Sequence, residues 1–516
     1  MKQKILFLFF SILISCGLCA QGETAHWYFG KNSGIDFTNM STIANATING
    51  TINQTLSGVP TFDSGPINTS EGCFSISDKN GNFLLASDGR YVYNRDKNLM
   101  PHGSGLMGNA SATQSGIVIP RPKHPNNYYI VTAPAMEGAR TPLYLYEVDM
   151  TLDSGKGDLK GPYNGSGEPI GLELNFSGIY PPNNAYENLS AIGHANGKDY
   201  WLVNRTRGHF FVWLVTEDGI NSTPDYSFPI GVDPGVADYP TLPVSYGHIK
   251  FSPDGTVIAN TTGHNPSSIT LASFDKATGT ITGIINHNFS NDQVYGLSFS
   301  PNGKYVYYTF TYTGPLMRMS VDDLLNGVPQ SELTINTGAI VNIQLGPDNR
   351  IYGIASNARS LANYRNLYVI LNPDDENLNL AIIPDFFPEG TGSHLSMPTF
   401  TSSFFNIGDI ESDPLLPVCM GKEILFSVQI GIGSGENRVT KIEWDFGDGL
   451  PIVVETDMDQ YTFVQKYTYT KPGKYSLTLI PYKSDGSVLT DKIKTLEVKI
   501  SSCIMPVNHN ISVMEY

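Results

Sequence analysis

Three observations predict an all-β chain with a repeat-built N-terminal region and a smaller C-terminal module. Helical periodicity is scarce, while short alternating runs rich in Val, Ile, Thr, Tyr and Phe recur between Gly, Asn, Pro and Asp clusters. A unit of strand, tight turn and returning strand repeats through the first four hundred residues. Beyond an acidic, proline-bearing stretch near residue 410, alternation resumes without that repeat. At 516 residues the chain is too long for one ordinary domain of roughly 100 to 200 residues. With 28 Tyr and 25 Phe it is too aromatic for general disorder.

The first element is a leader. Lys2 and Lys4 precede an apolar run from Ile5 to Ile14, and Leu18-Cys19-Ala20 offers a small residue for cleavage, so residues 1–20 read as a secretory signal peptide. The run is shorter than the roughly 20 residues of a membrane-spanning helix, and no later stretch qualifies as a transmembrane segment. Leu13-Ile14-Ser15-Cys16 also resembles a bacterial lipobox, which would make Cys16 a lipid anchor, so both processing routes stay open. Cleavage behind Ala20 leaves Cys73, Cys419 and Cys503. Export permits a disulfide; Cys419 and Cys503 bracket one compact stretch and are expected to pair, leaving Cys73 as a buried, unreactive thiol.

The repeat follows. Ile249-Lys250-Phe251-Ser252-Pro253-Asp254-Gly255 leads into Thr256–Ala259, and Leu297-Ser298-Phe299-Ser300-Pro301-Asn302-Gly303 leads into Lys304–Tyr308. A third copy runs from Ile343 through Pro347-Asp348-Asn349 into Arg350–Ile354. Pro fixes φ, and Gly or Asn accepts φ > 0, so each copy is a strand turning back on itself. Weaker copies upstream put turn markers at positions 81, 127, 197, 255, 303 and 349. Spacings of 46, 70, 58, 48 and 46 residues are those of propeller blades, with insertions near residues 150–185 and 220–245. The six markers, with Leu367–Leu371 after the last, suggest a β-propeller of seven blades over residues 26–405, six or eight remaining compatible. His26–Phe29 with Ile35–Phe37, at the start, and Pro398–Phe405, at the end, are the segments expected to pair and close it.

Residues 406–417, with Asp409, Glu411, Asp413, Pro414 and Pro417, read as a linker. Strands are expected at Glu423–Val428, Lys441–Phe446, Tyr475–Leu479 and Lys494–Val498, fitting a two-sheet sandwich over residues 418–501, with 502–516 as a tail. Within it, Trp444-Asp445-Phe446-Gly447-Asp448-Gly449 and Tyr467–Leu479, which carries Tyr469, Gly473 and Tyr475, resemble the two hallmark segments of a PKD domain, an Ig-like fold. Tyr467 stands where many members of that family carry His. Trp444 and Phe446 are expected in the core, Gly447-Asp448-Gly449 in a turn, and Asp445 and Asp448 in turn and strand-end hydrogen bonds rather than in catalysis or metal binding.

A second resemblance rests on His26–Phe37, Gln344–Tyr352 and Leu395–Phe400, which are similar to the propeller portion of large exported Bacteroidetes proteins of the gliding-motility-associated type. Such proteins often carry PKD modules and often end in a sorting domain, whereas only Ser501–Tyr516 follow the module here.

Charge and motifs narrow the function. With 32 Lys+Arg against 48 Asp+Glu the net charge is -16, and loss of the leader removes two more positive charges, so the surface repels a phosphate backbone and nucleic acid is excluded as a partner. No HExxH, GxSxG or GxxxxGK[ST] is present, and no cofactor, metal or catalytic residue is assigned. His194, His248 and His264 lie near blade starts and read as structural, and Asp322-Asp323 and Asp374-Asp375-Glu376 read as solvated turns. The expected function is an exported, non-catalytic protein of the cell envelope or exterior, with the propeller presenting a surface to a polysaccharide or surface protein and the PKD module acting as spacer or second contact. The alternative is an extracellular propeller hydrolase or lyase, since a funnel can gather carboxylates and histidines from different blades without a linear motif. Convergence of two or three such groups is what would favour the enzyme.

Overall fold

The computed structural model describes residues 22–502 except 136–141, 177–184, 207, 231–245, 264–266, 290–292, 312–314, 329–332, 336–339, 356–363, 396, 406–410, 414–415, 430–438, 457–461, 484 and 491–492. The leader with Cys16, His264, most of the expected linker, Cys503 and the tail lie outside the described residues. The described chain is all-β, interrupted by short turns of helix such as Leu152–Gly155 and Val321–Leu325.

Antiparallel sheets follow one another in chain order. Four of them begin at Phe74–Ser77, Gly116–Pro120, Ser190–Gly193 and Ile249–Phe251, a fifth at Val294–Phe299, and Ile340–Leu345 opens the meander that ends at Leu380–Ile383. His26–Phe29, paired with Ser33–Ile48, makes a seventh leading strand. Each leading strand touches the next, from His26–Phe29 through to Ile340–Leu345. Phe74–Ser77, Val294–Phe299 and Ile340–Leu345 are buried at every position. Neighbours cover both of their faces, which is why these strands read as continuous apolar or small-residue runs rather than as alternation.

All six sequence markers fall between the first and second strands of a sheet or at the edge of that turn. Gly255 and Gly303 both sit at φ 74, and Asn349 at φ 62. In the second upstream copy the left-handed residue is Lys123, at φ 61, and Asn127 already begins the returning strand. Two copies share a further device. The Ser252 hydroxyl accepts from the Val257 N–H at 3.0 Å and the Ser300 hydroxyl from the Tyr305 N–H at 3.0 Å. Gly346 occupies this position in the third copy and has no hydroxyl to offer.

The two ends of this region meet in one sheet, through different residues from those expected. Thr47 and Ile48, late in Ser33–Ile48, pair with Ile382 and Ala381. Pro398–Phe405 does not form a strand against His26–Phe37. Instead Thr399 bridges Phe74 in parallel, and Ser402–Phe405 is a 3-10 turn. Phe400 meets the first strand by packing, its ring 5.9 Å from that of Trp27, which also packs against Tyr352 of the last meander at 5.8 Å. Leu367–Ile370 is the third strand of that meander, not a further sheet, so the seventh leading strand comes from the N-terminal end.

The C-terminal module has its own core. Glu411–Asp413, Ile424–Gln429 and Thr462–Tyr467 form one sheet, and Val418–Cys419, Lys494–Ser501, Gly473–Tyr482, Lys441–Asp445 and Val453–Glu455 form the other. Ile424, Phe426 and Phe463 of the first meet Ile442, Trp444, Leu477 and Val498 of the second. Strand pairing thus begins at Glu411, inside the stretch that reads as linker. Cys73 is buried, whereas Cys419 is disulfide-bonded.

Candidate functional site

In an antiparallel meander, the start of the leading strand and the end of the second strand lie at the same end of the sheet. Several sheets place polar residues at these positions. Glu71 precedes Phe74–Ser77, Thr113 precedes Gly116–Pro120, Glu187 precedes Ser190–Gly193, His248 precedes Ile249–Phe251, and Tyr295 lies at the start of Val294–Phe299. Arg205 ends Tyr200–Thr206, and Thr261 and Thr262 end Val257–Thr262.

These groups converge. Thr113 joins two carboxylates: its N–H donates to Glu187 Oε2 at 3.0 Å, and its hydroxyl lies 3.1 Å from the same oxygen and 3.4 Å from Glu71 Oε1. A single hydroxyl proton serves only one carboxylate at a time. The Tyr295 hydroxyl donates a short hydrogen bond to Glu71 Oε1. Burial, reinforced by the Glu71 carboxylate, pushes the Tyr295 phenol well above its ordinary range, so it remains a donor. Glu187 is 2% exposed, while Glu71 is half-buried and is the carboxylate of the pair with more access to solvent.

His248 stands edge-on to the Tyr295 ring, with centroids 5.3 Å apart. Its backbone is pinned by Thr261, whose hydroxyl accepts the His248 N–H at 2.8 Å. Its ring is different: neither Nδ1 nor Nε2 has a hydrogen-bond partner among the described residues, though the residue is buried. Burial, with Lys250 adding to it, holds the imidazole well below its ordinary range, so it is neutral and offers one donor and one acceptor. Arg205, also buried, donates from NH1 to the Thr262 hydroxyl at 2.9 Å and takes its backbone support from Asn188. The arrangement combines a partly accessible carboxylate, a neutral imidazole and a phenol, a set that can hydrogen-bond a hydroxyl-rich ligand or move a proton.

Of this group sequence reading named only His248, and read it as a structural histidine, whereas its ring has no hydrogen-bond partner among the described residues. Glu71, Thr113, Glu187 and Tyr295 are scattered over more than two hundred positions, and their shared signal is a polar residue just ahead of a leading strand or, for Tyr295, at its start. His194 serves elsewhere, accepting the Asn196 N–H at 2.9 Å in a turn and stacking on Trp201. Ser320 caps the helix bearing Asp322 and Asp323, and the carbonyls of Asp375 and Glu376 accept from Arg318.

In the C-terminal module Trp444 is fully buried, and Asp445 Oδ1 accepts the Gly447 N–H at 2.9 Å. Asp448 accepts from the Leu450 N–H at 3.1 Å and from the Tyr467 hydroxyl at 2.6 Å. The Tyr467 ring stacks on Phe446 at 3.7 Å, and Tyr469 donates to the Phe446 carbonyl at 3.0 Å. Tyr475 stacks on Tyr469 at 4.4 Å and donates to the Lys471 carbonyl at 2.9 Å. Gly447 needs its φ of 72, and a Cβ there would meet the Ser476 carbonyl oxygen at 2.4 Å. Gly449 also turns at positive φ, whereas Gly473 begins the strand Gly473–Tyr482.

No protein-family model matches the chain, and no curated protein matches it. Solved structures similar to it include a candidate 6-phosphogluconolactonase from Bacteroides uniformis, at 14% identity and TM-score 0.35 over 84% of this chain and 97% of that one. Another is the periplasmic gluconolactonase of Pseudomonas aeruginosa, at 12% identity and TM-score 0.34 over 80% and 92%. A third is the extracellular domain of a candidate hybrid two-component system from B. thetaiotaomicron, at 10% identity and TM-score 0.36 over 92% of this chain and 56% of that one. Among the described residues, no helix is long and apolar enough to cross a membrane.

Proposed function

We propose that the chain is an exported ligand-binding protein, a seven-bladed propeller whose polar funnel takes a polysaccharide or the polar surface of another protein, with a PKD-type sandwich as spacer or second contact. The observation that carries this reading is the convergence of Glu71, Thr113, Glu187, His248 and Tyr295 from five sheets at one end of their leading strands. The seven-blade count is supported by seven leading strands in successive contact and by the pairing of Thr47–Ile48 with Ala381–Ile382. Export is supported by Lys2, Lys4 and the apolar run behind them, and processing at either Ala20 or Cys16 fits the exported Bacteroidetes proteins that the chain resembles. Pairing of Cys419 with Cys503 is supported by the parallel register of Cys419 with Ser501, two residues short of Cys503.

Binding is favoured over catalysis because the network is largely turned on itself. Glu187 is buried and accepts from Thr113, and Tyr295 is spent on Glu71. The hydrolase or lyase reading is favoured by one specific observation, the two carboxylates linked through a single hydroxyl, which can separate acid and base roles. A glycan array run beside a polysaccharide hydrolysis screen, with wild-type protein and Glu71→Gln, decides between them. Retention of a glycan that Glu71→Gln weakens at least about tenfold, with no product, is expected. Product release abolished by Glu71→Gln would establish the enzyme, and unchanged binding by Glu71→Gln would remove the funnel as the site.

A further inference from the structure

Lys250 lies two residues beyond His248, so its side chain leaves the strand on the same side. Its Nζ donates to Gln344 Oε1 at 2.5 Å and faces the Ile343 carbonyl at 3.3 Å. An ammonium carries three donors, and both of these partners are neutral. No carboxylate among the described residues forms an ion pair with it. Burial alone pushes the ammonium from the lysine range down to about 7, with no neighbouring charge contributing, although part of the residue still reaches solvent.

Beside it is a cavity of about 20 Å³, lined by Lys250 together with Gln114, Ser190, Ser298, Gln344 and Thr399. Half of the lining residues are apolar, Phe251, Phe299, Leu345 and Phe400 among them, and among the described residues the Ser190 hydroxyl meets another hydroxyl, that of Ser402, at 3.4 Å. The space holds a water-sized occupant and is far smaller than the pockets that take a sugar. A cation held among neutral dipoles in an interior of low dielectric is strongly improved by an adjacent negative charge.

We propose that this cavity binds a monatomic halide, chloride in the natural setting, against the Lys250 ammonium. The ion would neutralise a charge buried where five sheets meet and would leave the funnel above it unchanged, so the site stands or falls independently of what the funnel binds.

Two measurements on the full chain test it. Crystals grown in sodium bromide are expected to show an anomalous peak in contact with Lys250 Nζ, and density there without anomalous signal would mean water and overturn the proposal. Thermal unfolding at about 0.3 M sodium chloride, compared with sodium gluconate at the same ionic strength, is expected to raise the wild-type midpoint by at least about 2 °C, since only the smaller anion fits. Lys250→Met is expected to lose that difference. Equal wild-type midpoints in the two salts, or an undiminished difference in Lys250→Met, would also overturn it, and the bromide result stands even where that variant does not fold.

Discussion

The N-terminal region and the C-terminal module use polar residues in opposite ways. In the module, Asp445 and Asp448 bond to groups at Gly447, Leu450 and Tyr467, and Tyr469 returns to Phe446, so the polar network joins partners at most 23 positions apart and clamps one turn to one strand. In the N-terminal region, Glu71 meets Tyr295 and Glu187 meets Thr113, partners separated by 224 and 74 positions. A local network stabilises the element that encodes it. A distant one exists only after several sheets have assembled, and it is there that chemistry can be gathered from residues with no linear relation.

The largest expected effect comes from the module. Trp444→Ala removes a fully buried indole from a core made by two small sheets and is expected to cost about 3 to 5 kcal/mol. Calorimetry of the full chain should show one transition falling while that of the N-terminal region holds its midpoint. A joint fall of both transitions would break the comparison, because it would make the two cores one cooperative unit.

An intermediate effect is expected at Glu187. Glu187→Ala strips the buried Thr113 N–H of its acceptor and leaves its hydroxyl only the longer contact to Glu71, and should cost about 1.5 to 3 kcal/mol in the N-terminal transition alone. Glu187→Gln keeps an acceptor oxygen and should recover part of the loss. Equal losses for the two variants would show that the charge, not the hydrogen bonds, is what the network requires.

The smallest effect belongs to the repeat. Ser252→Ala removes the hydroxyl that accepts the Val257 N–H and is expected to cost about 0.5 to 1.5 kcal/mol. Ser300→Ala should match it, since its geometry toward Tyr305 is the same. The third copy, with Gly346 at this position, already lives without the bond. A loss of several kcal/mol in a denaturant titration of Ser252→Ala would mean that this turn supports more than its own sheet.

Legibility followed the same division. The turns were readable because Pro-Asp-Gly, Pro-Asn-Gly and Pro-Asp-Asn restrict φ within four residues, and the left-handed positions fall at Gly255, Gly303 and Asn349. The roles of Asp445 and Asp448 were readable for the same reason. The closure was read from the wrong partners. Aromatic Pro398–Phe405 looks like a strand, but Phe400 is used for packing on Trp27, and the pairing falls to the polar end of a long hairpin at Thr47 and Ile48. Leu367–Leu371, counted with the six markers toward seven blades, belongs to the last meander, because a repeat counted along the chain does not reveal that a further leading strand can lie at the N-terminal end.

By itself the sequence determined what depends on neighbours a few residues apart: an all-β chain, recurring turns, two regions of different pattern and an acidic composition. Only the tertiary structure decided which polar residues meet. Whether Glu71 faces Tyr295, or whether Lys250 has a counter-charge, depends on how sheets separated by dozens of residues are set side by side, and no short-range propensity carries that information.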